Sequence, residues 1–400
     1  MKHVDVTVVG GGLAGMIAAI AIARGGRQVT LAAPSSSKPD GRTTALMDQS
    51  IRFLERLAIW DKILPNAAAL STMQIVDGTK RLLRAPTVAF RAAEIGLEAF
   101  GYNMPNTALI GALDDAVRSE GNIARIDAAA TSVDIRDRGV TVTLDNSETI
   151  ESSFIVGSDG RHSMVRESAG IGLKTWSYPQ SAMVLNFAHS SPHQNVSTEF
   201  HTESGPFTQV PLPGNRSSLV WVQRPEEAAV NATKSMEELG RLVEDRMQSL
   251  LGKVTVEPGV QVWPLSGMTA QRFGKGRAAL IGEAAHVFPP IGAQGLNLSL
   301  RDVMVLTEIL SDHPQEPIRA SVGDSFDRKR RVDIISRTAS VDMLNRSLLS
   351  DFLPVQVLRA AGLHVLSALP PLRNIVMREG IEPGRGFKIM PSMLPDKLRR

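Results

Sequence analysis

Gly10, Gly12 and Gly15 spell G-x-G-x-x-G between a β-rich run, VDVTVV at residues 4–9, and the apolar stretch Met16–Ala23. In that setting the first glycine permits a tight turn, the second lets a pyrophosphate approach the backbone, and the third lets a helix pack on a strand. The helix that opens there points free N–H groups at the anion. The chemistry implied is dinucleotide binding. An acid normally stands about 20 residues further on to accept from the adenosine ribose. Here Ala32-Ala33-Pro34 occupies that place. The ribose contact then falls to backbone, water, Ser35–Ser37, Asp40 or Arg42. One reading of the missing acid is NADP, whose 2′-phosphate would repel a carboxylate.

Two further motifs narrow the chemistry. One is FIVGSDGRHSMVR at 154–166; the other is ALIGEAAHVFPPIGAQGLNL at 279–298. In the latter a short apolar strand delivers Gly282-Glu283 to its carboxyl end, where open α/β sheets bind ligands. Gly292, Gly295 and the helix start at Leu296-Asn297 direct backbone N–H groups and a positive helix end at one locus. His286 and Gln294 are the tempting proton-handling residues, although a lone histidine after two alanines in a packed turn reads more simply as structural. Arg166 suits a phosphate contact or a solvated salt bridge, and Lys329-Arg330-Arg331 a solvated helix face. No Ser/His/Asp arrangement and no metal-ligand spacing is present, so hydrolase and metalloenzyme readings fail.

The elements that position these motifs follow from composition and periodicity. With 400 residues, 43% hydrophobic and 21% charged, and a net charge of +3, the chain can bury a sizeable core in two domains, or in one with an insertion. It contains no cysteine, which excludes disulfide scaffolds, thiolate metal sites and cysteine nucleophiles and permits a reducing compartment. Asp5 and Gly10–Gly12 interrupt the N-terminal apolar run, which reads as a strand and not a targeting signal. No uninterrupted run of 18 apolar residues predicts a transmembrane helix. Residues 351–400 carry eight Lys or Arg against four acids, so the basic excess belongs to the tail; with aromatics scarce, nucleic-acid binding is not expected.

Strand, glycine turn, helix stopped by Gly25-Gly26, and a second β-run at Gln28–Ala32 make a βαβ unit. Helical periodicity is expected at about residues 50–75, 107–119 and 234–251 and from 296 onward, where Ile334, Val341, Leu344 and Leu348 share a face. Residues 131–156 alternate strand and turn signals. Short β-runs at Ala182–Phe187, Ser197–His201, Phe207–Val210 and Ser217–Val222 predict an antiparallel sheet. The fold class is α/β: a doubly wound parallel sheet with an inserted antiparallel sheet and a C-terminal helical segment.

With its three motifs in this order, the chain resembles the FAD-dependent aromatic hydroxylases, the class A flavoprotein monooxygenases. The closer likeness is to the ubiquinone-biosynthesis hydroxylases. It rests on GRTTAL at 41–46, YPQSA at 178–182, GPFTQVPLP at 205–213 and SLVW at 218–221. The resemblance implies an FAD-binding domain at 1–78, 100–178 and 268–345, a substrate domain at 79–99 and 179–267, and a helical tail at 346–400. It implies FAD contacts from Gly10, Gly12, Ala14, Gly15, Arg42, Asp159, Gly160, Glu283, Gly292, Gly295, Leu296 and Asn297. The family has Asp where this chain has Glu283, one methylene longer. Pro290 and His286 would stand at the reacting edge, Pro289-Pro290 as a rigid cavity wall, and strands 181–224 would roof the pocket with Met183, Leu185 and Phe187.

The implied activity is hydroxylation of the aromatic ring of a polyprenylated phenol in ubiquinone biosynthesis, through a C4a-hydroperoxyflavin, with NAD(P)H as electron donor and O₂ as co-substrate. The alternatives are an NADP-dependent flavin reductase acting on an isoprenoid and a non-catalytic flavin-containing scaffold subunit. A complex with other enzymes of that pathway and a cytoplasmic location, peripheral on the inner face of the membrane, are further expectations. Residues 352–369, an apolar stretch ended by Pro370-Pro371 and followed by Arg373 and other basic residues, would make the lipid contact.

Overall fold

The computed structural model describes residues 3–34, 41–79, 86–289 and 294–349, with 369, 371, 373–375 and 377. The chain opens with β1 (His3–Val9), α1 (Leu13–Arg24) and β2 (Val29–Ala32). Then come β3 (Thr43–Met47), α2 (Asp48–Arg56), α3 (Trp60–Ile63), β4 (Ala68–Ala69), β5 (Thr72–Asp77), β6 (Val88–Arg91), β7 (Gly101–Pro105) and α4 (Asn106–Ser119). The middle holds β8 (Ile123–Ile126), β9 (Ala130–Arg136), β10 (Gly139–Leu144), β11 (Thr149–Gly157), α5 (Met164–Ser168), β12 (Leu173–His189), β13 (Val196–Thr202), β14 (Gly205–Leu212) and β15 (Arg216–Gln223). After α6 (Pro225–Ala232) and α7 (Met236–Arg246) come β16 (Val254–Val256), β17 (Gln261–Ala270), β18 (Gly274–Lys275), β19 (Ala278–Leu280), β20 (His286–Val287), α8 (Gln294–Ser311) and α9 (Val322–Leu349).

The first sheet has the order β18-β19-β11-β1-β2-β8, extended by the β9–β10 hairpin. β1 runs parallel to β2 and β11, and β11 parallel to β19. Strands covered on both faces read as continuous apolar runs; accordingly Val6, Val8, Ile155 and Val156 are fully buried. The second sheet, β20-β17-β12-β15-β14-β13-β5-β6, is largely antiparallel and is backed by α7. A third, small sheet has the order β3-β7-β4.

Several expectations need correction. Helical structure does not run to residue 75: it ends near 66, and residues 68–69 and 72–77 are strands. β5 pairs with β13, so Thr72–Asp77 belongs to the second sheet although the expected 1–78 boundary assigned it to the first part. Met183, Leu185 and Phe187 do not roof a pocket; they are sealed against Leu239 and Val243 of α7. Most of the tail, including Val341's side chain, residues 352–368 and the basic residues beyond 377, lies outside the described residues. Arg373, expected at a lipid surface, instead donates from Nε to Glu94 at 2.9 Å, and Met377 is buried with Ala92 and Phe100. No described helix is long and apolar enough to cross a membrane.

Candidate active site

The three motifs meet at the carboxyl ends of β1, β11 and β19. A Cβ on Gly10, whose φ is +109°, would lie 2.3 Å from the Ser158 carbonyl oxygen, and one on Gly15 would lie 2.0 Å from the Gly10 carbonyl oxygen. Only glycine allows both approaches. Gly282, at the end of β19, backs onto the same helix: a Cβ there would stand 3.3 Å from Ala14 Cβ and 3.4 Å from Ser299 Oγ of α8. Ala33 is buried beneath the turn, its Cβ 2.7 Å from where one on Gly11 would lie.

Arg166 is the cross-brace. It is neither solvated nor open to a phosphate: it is buried, and its guanidinium donates to the carbonyl oxygens of Ala284 at 3.0 Å and Arg161 at 2.9 Å. One side chain thus fixes the second motif against the third. Asp159 is also turned inward, accepting from the Ser163 hydroxyl at 2.5 Å and the Val165 N–H at 3.2 Å, and so caps α5.

At Gly12, Gly160 and Gly295, in contrast, an added Cβ would meet nothing within 4 Å. Gly12 is the N-cap of α1, and no side chain caps that helix. Uncapped N–H groups beside open glycine backbone fit the pyrophosphate of FAD. Glu283 is half-exposed, and one carboxylate oxygen accepts from Arg161 Nε at 3.1 Å. Arg42 is exposed at the head of β3, where its carbonyl accepts from Asn106 N–H.

The first turn of α8, with Gly295, Leu296 and Asn297, is held from two sides. Asn297 Oδ1 accepts from Met47 N–H at 2.9 Å and the Ser50 hydroxyl at 2.7 Å, and its Nδ2 donates to the Ala45 carbonyl at 2.8 Å. From α9, Arg337 donates to Gln294 Oε1 at 3.0 Å and to Asp333 at 2.9 Å. Burial would raise the Asp333 carboxyl, but Arg330 and Arg337 hold it below the usual range. Burial, helped by the charge on Arg337, lowers Arg301 to about 10. Pro290 and Gly292 lie outside the described residues.

His286 differs from its expected part. Its Nε2 is 2.7 Å from Asp302 Oδ2, its ring stacks on Phe288 with centroids 5.3 Å apart, and its side chain is sealed. It is a brace between β20 and α8, not a group open to the site. Arg330, expected on a solvated face, is buried and donates from Nε to Asp302 Oδ1 at 2.9 Å. Lys329 makes a surface pair with Glu308, while the half-exposed Arg331 reaches in to the buried Asp327. Sequence reading missed Asp302; the available signal was an acid among Leu298, Leu300, Val303 and Leu306 in an apolar helix.

Residues 3–337 match a family model described as an FAD binding domain. The ubiquinone hydroxylase UbiL of Rhodospirillum rubrum is 32% identical over 413 aligned positions, covering 98% of this chain and 94% of that protein. The 3-demethoxyubiquinol 3-hydroxylase of Escherichia coli is 28% identical, covering 90% of this chain and 93% of its own length. The fold is shared with the p-nitrophenol 4-monooxygenase PnpA of Pseudomonas putida DLL-E4, at a TM-score of 0.78 and 19% identity over 96% of this chain and 98% of that one. By motif order, by fold and by a match that runs nearly its whole length, this chain belongs to the FAD-dependent monooxygenases of the ubiquinone-hydroxylase family.

Proposed function

We propose that the protein hydroxylates the aromatic ring of a polyprenylated phenol in ubiquinone biosynthesis, with NAD(P)H as the electron donor. The observation that carries the reading is the likeness to ubiquinone hydroxylases over nearly the whole chain, supported by the open glycine backbone at Gly12, Gly160 and Gly295. When bound, FAD supplies two-electron chemistry with NAD(P)H and the activation of O₂. The protein supplies position and environment. The backbone of Gly12 and Ala14 at the start of α1 would hold the pyrophosphate, with Gly10 and Gly15 shaping the turn. Glu283 would accept from the ribityl chain, Gly160 would give the ring a flat approach, and Arg42 would flank the pyrophosphate or ring edge.

The first turn of α8, Gly295 to Asn297, would hold the N1–C2=O edge of the cofactor, where its N–H groups and helix end would favour negative charge. No acid–base triad is needed to break a bond here, and the braces Arg166 and Asp302 fit a site whose task is to hold a ring in a dry, fixed place. Contact with a membrane or with partner enzymes would deliver so apolar a substrate. In a strain lacking this gene, the reading predicts accumulation of a prenylated phenol short of one ring oxygen, restored by the wild-type gene. An unchanged quinone profile would refute it.

A further inference from the structure

Arg337 reaches out of its own helix. On α9 its Nε donates to the Asp333 carboxylate at 2.9 Å, while its Nη1 crosses to Gln294 Oε1 at 3.0 Å. Gln294 is the first residue of α8, immediately before the turn Gly295 to Asn297. The other side of that turn is fixed by the bonds of Asn297 to Met47, Ser50 and Ala45. An exposed ion pair within one helix is worth little. This guanidinium is only 16% exposed, and its planar fork joins two helices at once.

Asp333 does not cancel the charge it holds. Its carboxylate also accepts from Arg330 Nη1 at 2.5 Å and lies 3.6 Å from Arg301 Nη1, so three guanidinium groups among the described residues draw on it. Arg330 is shared in turn with Asp302, the partner of His286. Arg301 senses the outcome: after burial, the charge on Arg337 lowers it more than Asp333 raises it. The ground behind the first turn of α8 is therefore electropositive, and the N-terminal end of α8 has the same sign. Charges so little exposed are weakly screened by salt.

We infer that Arg337 is a positioning residue for the cofactor turn, and that its charge, brought to the start of α8 through Gln294, makes the protein favour reduced FAD over oxidised FAD. The inference rests on the reading that Gly295 to Asn297 holds the N1–C2=O edge. Reduction delivers two electrons and one proton, so the ring gains one unit of negative charge. A fixed cation behind that edge favours the product of this change, whereas a neutral brace would hold both forms alike. Removing the cation should cost the reduced form about tenfold in affinity relative to the oxidised form, a fall of about 30 mV for a two-electron couple.

The test is an equilibrium dye titration of the FAD-loaded protein, paired with FAD titration and melting of the apoprotein. Arg337→Gln should lower the midpoint potential by about 30 mV while the affinity for oxidised FAD stays within about threefold of wild type. Arg337→Lys keeps the charge and should recover most of the potential. Gln294→Leu leaves the ion pairs of α9 untouched, so it reads the link even if Arg337→Gln does not fold; its affinity ratio should shift about threefold in the same direction. A ratio within about twofold of wild type in either neutral variant, or a fall that Arg337→Lys does not recover, overturns the inference. Gly295→Leu, whose side chain would project into open space, separates this failure from that of the underlying reading. Weakened FAD binding there leaves the turn at the cofactor and only the part given to Arg337 refuted. Unchanged FAD affinity overturns both.

Discussion

His286 Nε2 and Asp302 Oδ2 lie 2.7 Å apart with their side chains 1% and 0% exposed. The second oxygen of Asp302 accepts from Arg330, itself 4% exposed, so one carboxylate joins β20, α8 and α9 behind the site. Removing one partner of a buried charged cluster is far more damaging than losing a surface pair, because the remaining charge cannot be rehydrated. Asp302→Asn should therefore cost about 3–5 kcal/mol in urea unfolding. A loss below about 1 kcal/mol, the level of an exposed pair, would show that the cluster is not sealed as described.

The glycines separate folding from cofactor binding. Gly12→Leu projects into open space, so its apo-protein should melt within a few degrees of wild type while FAD affinity falls by at least about tenfold. Gly10→Ala, with a strained φ and a carbonyl 2.3 Å from the new Cβ, should lower the melting temperature itself. Thermal scans and flavin titrations of the two apo-variants decide this. Equal melting losses would show that Gly12 is as crowded as Gly10.

Glu283 and Arg161 form a half-exposed pair, worth little to stability. Glu283→Gln keeps an acceptor oxygen and should weaken FAD binding only slightly, whereas Glu283→Ala should weaken it about tenfold, both with near wild-type melting. Identical affinities for all three proteins would mean that the carboxylate serves Arg161 alone.

The sequence made some of this legible and concealed the rest for a physical reason. Gly10, Gly12 and Gly15 announce their turn because backbone geometry restricts residue type, and the β-runs at 182–187 and 217–222 show in their composition. Which face of such a strand turns inward is not a local property. The composition points Met183, Leu185 and Phe187 at a pocket, yet α7, distant in sequence, covers them, and the opposite face falls to Val184 and Val220. The partners of Arg166 are carbonyl oxygens, which carry no residue signature at all. Asp302 meets His286 across 16 positions and Arg330 across 28, a pairing that only tertiary packing creates.

His189 gives a pH dependence with a definite sign. Burial lowers its ring below the ordinary 6.5, although the Ser191 carbonyl, 2.8 Å from Nδ1, acts the other way. The unfolded chain then takes up a proton first as pH falls through about 6.5, so this residue's contribution to stability is present above that value and declines below it. Denaturant unfolding between about pH 8 and 5 should show that decline in wild type and a shallower one in His189→Gln. Parallel curves would contradict the assignment.

The central claim is that this chain places an oxygen atom from O₂ on an aromatic ring. Mass spectrometry of the product formed from 2-(3-methylbut-2-enyl)phenol by the FAD-loaded protein with NAD(P)H under ¹⁸O₂ tests it most directly. The account predicts a ring-hydroxylated product carrying one ¹⁸O and consumption of one NAD(P)H for each product formed. Oxidation of NAD(P)H that yields only hydrogen peroxide, or a product whose new oxygen comes from water, would contradict it.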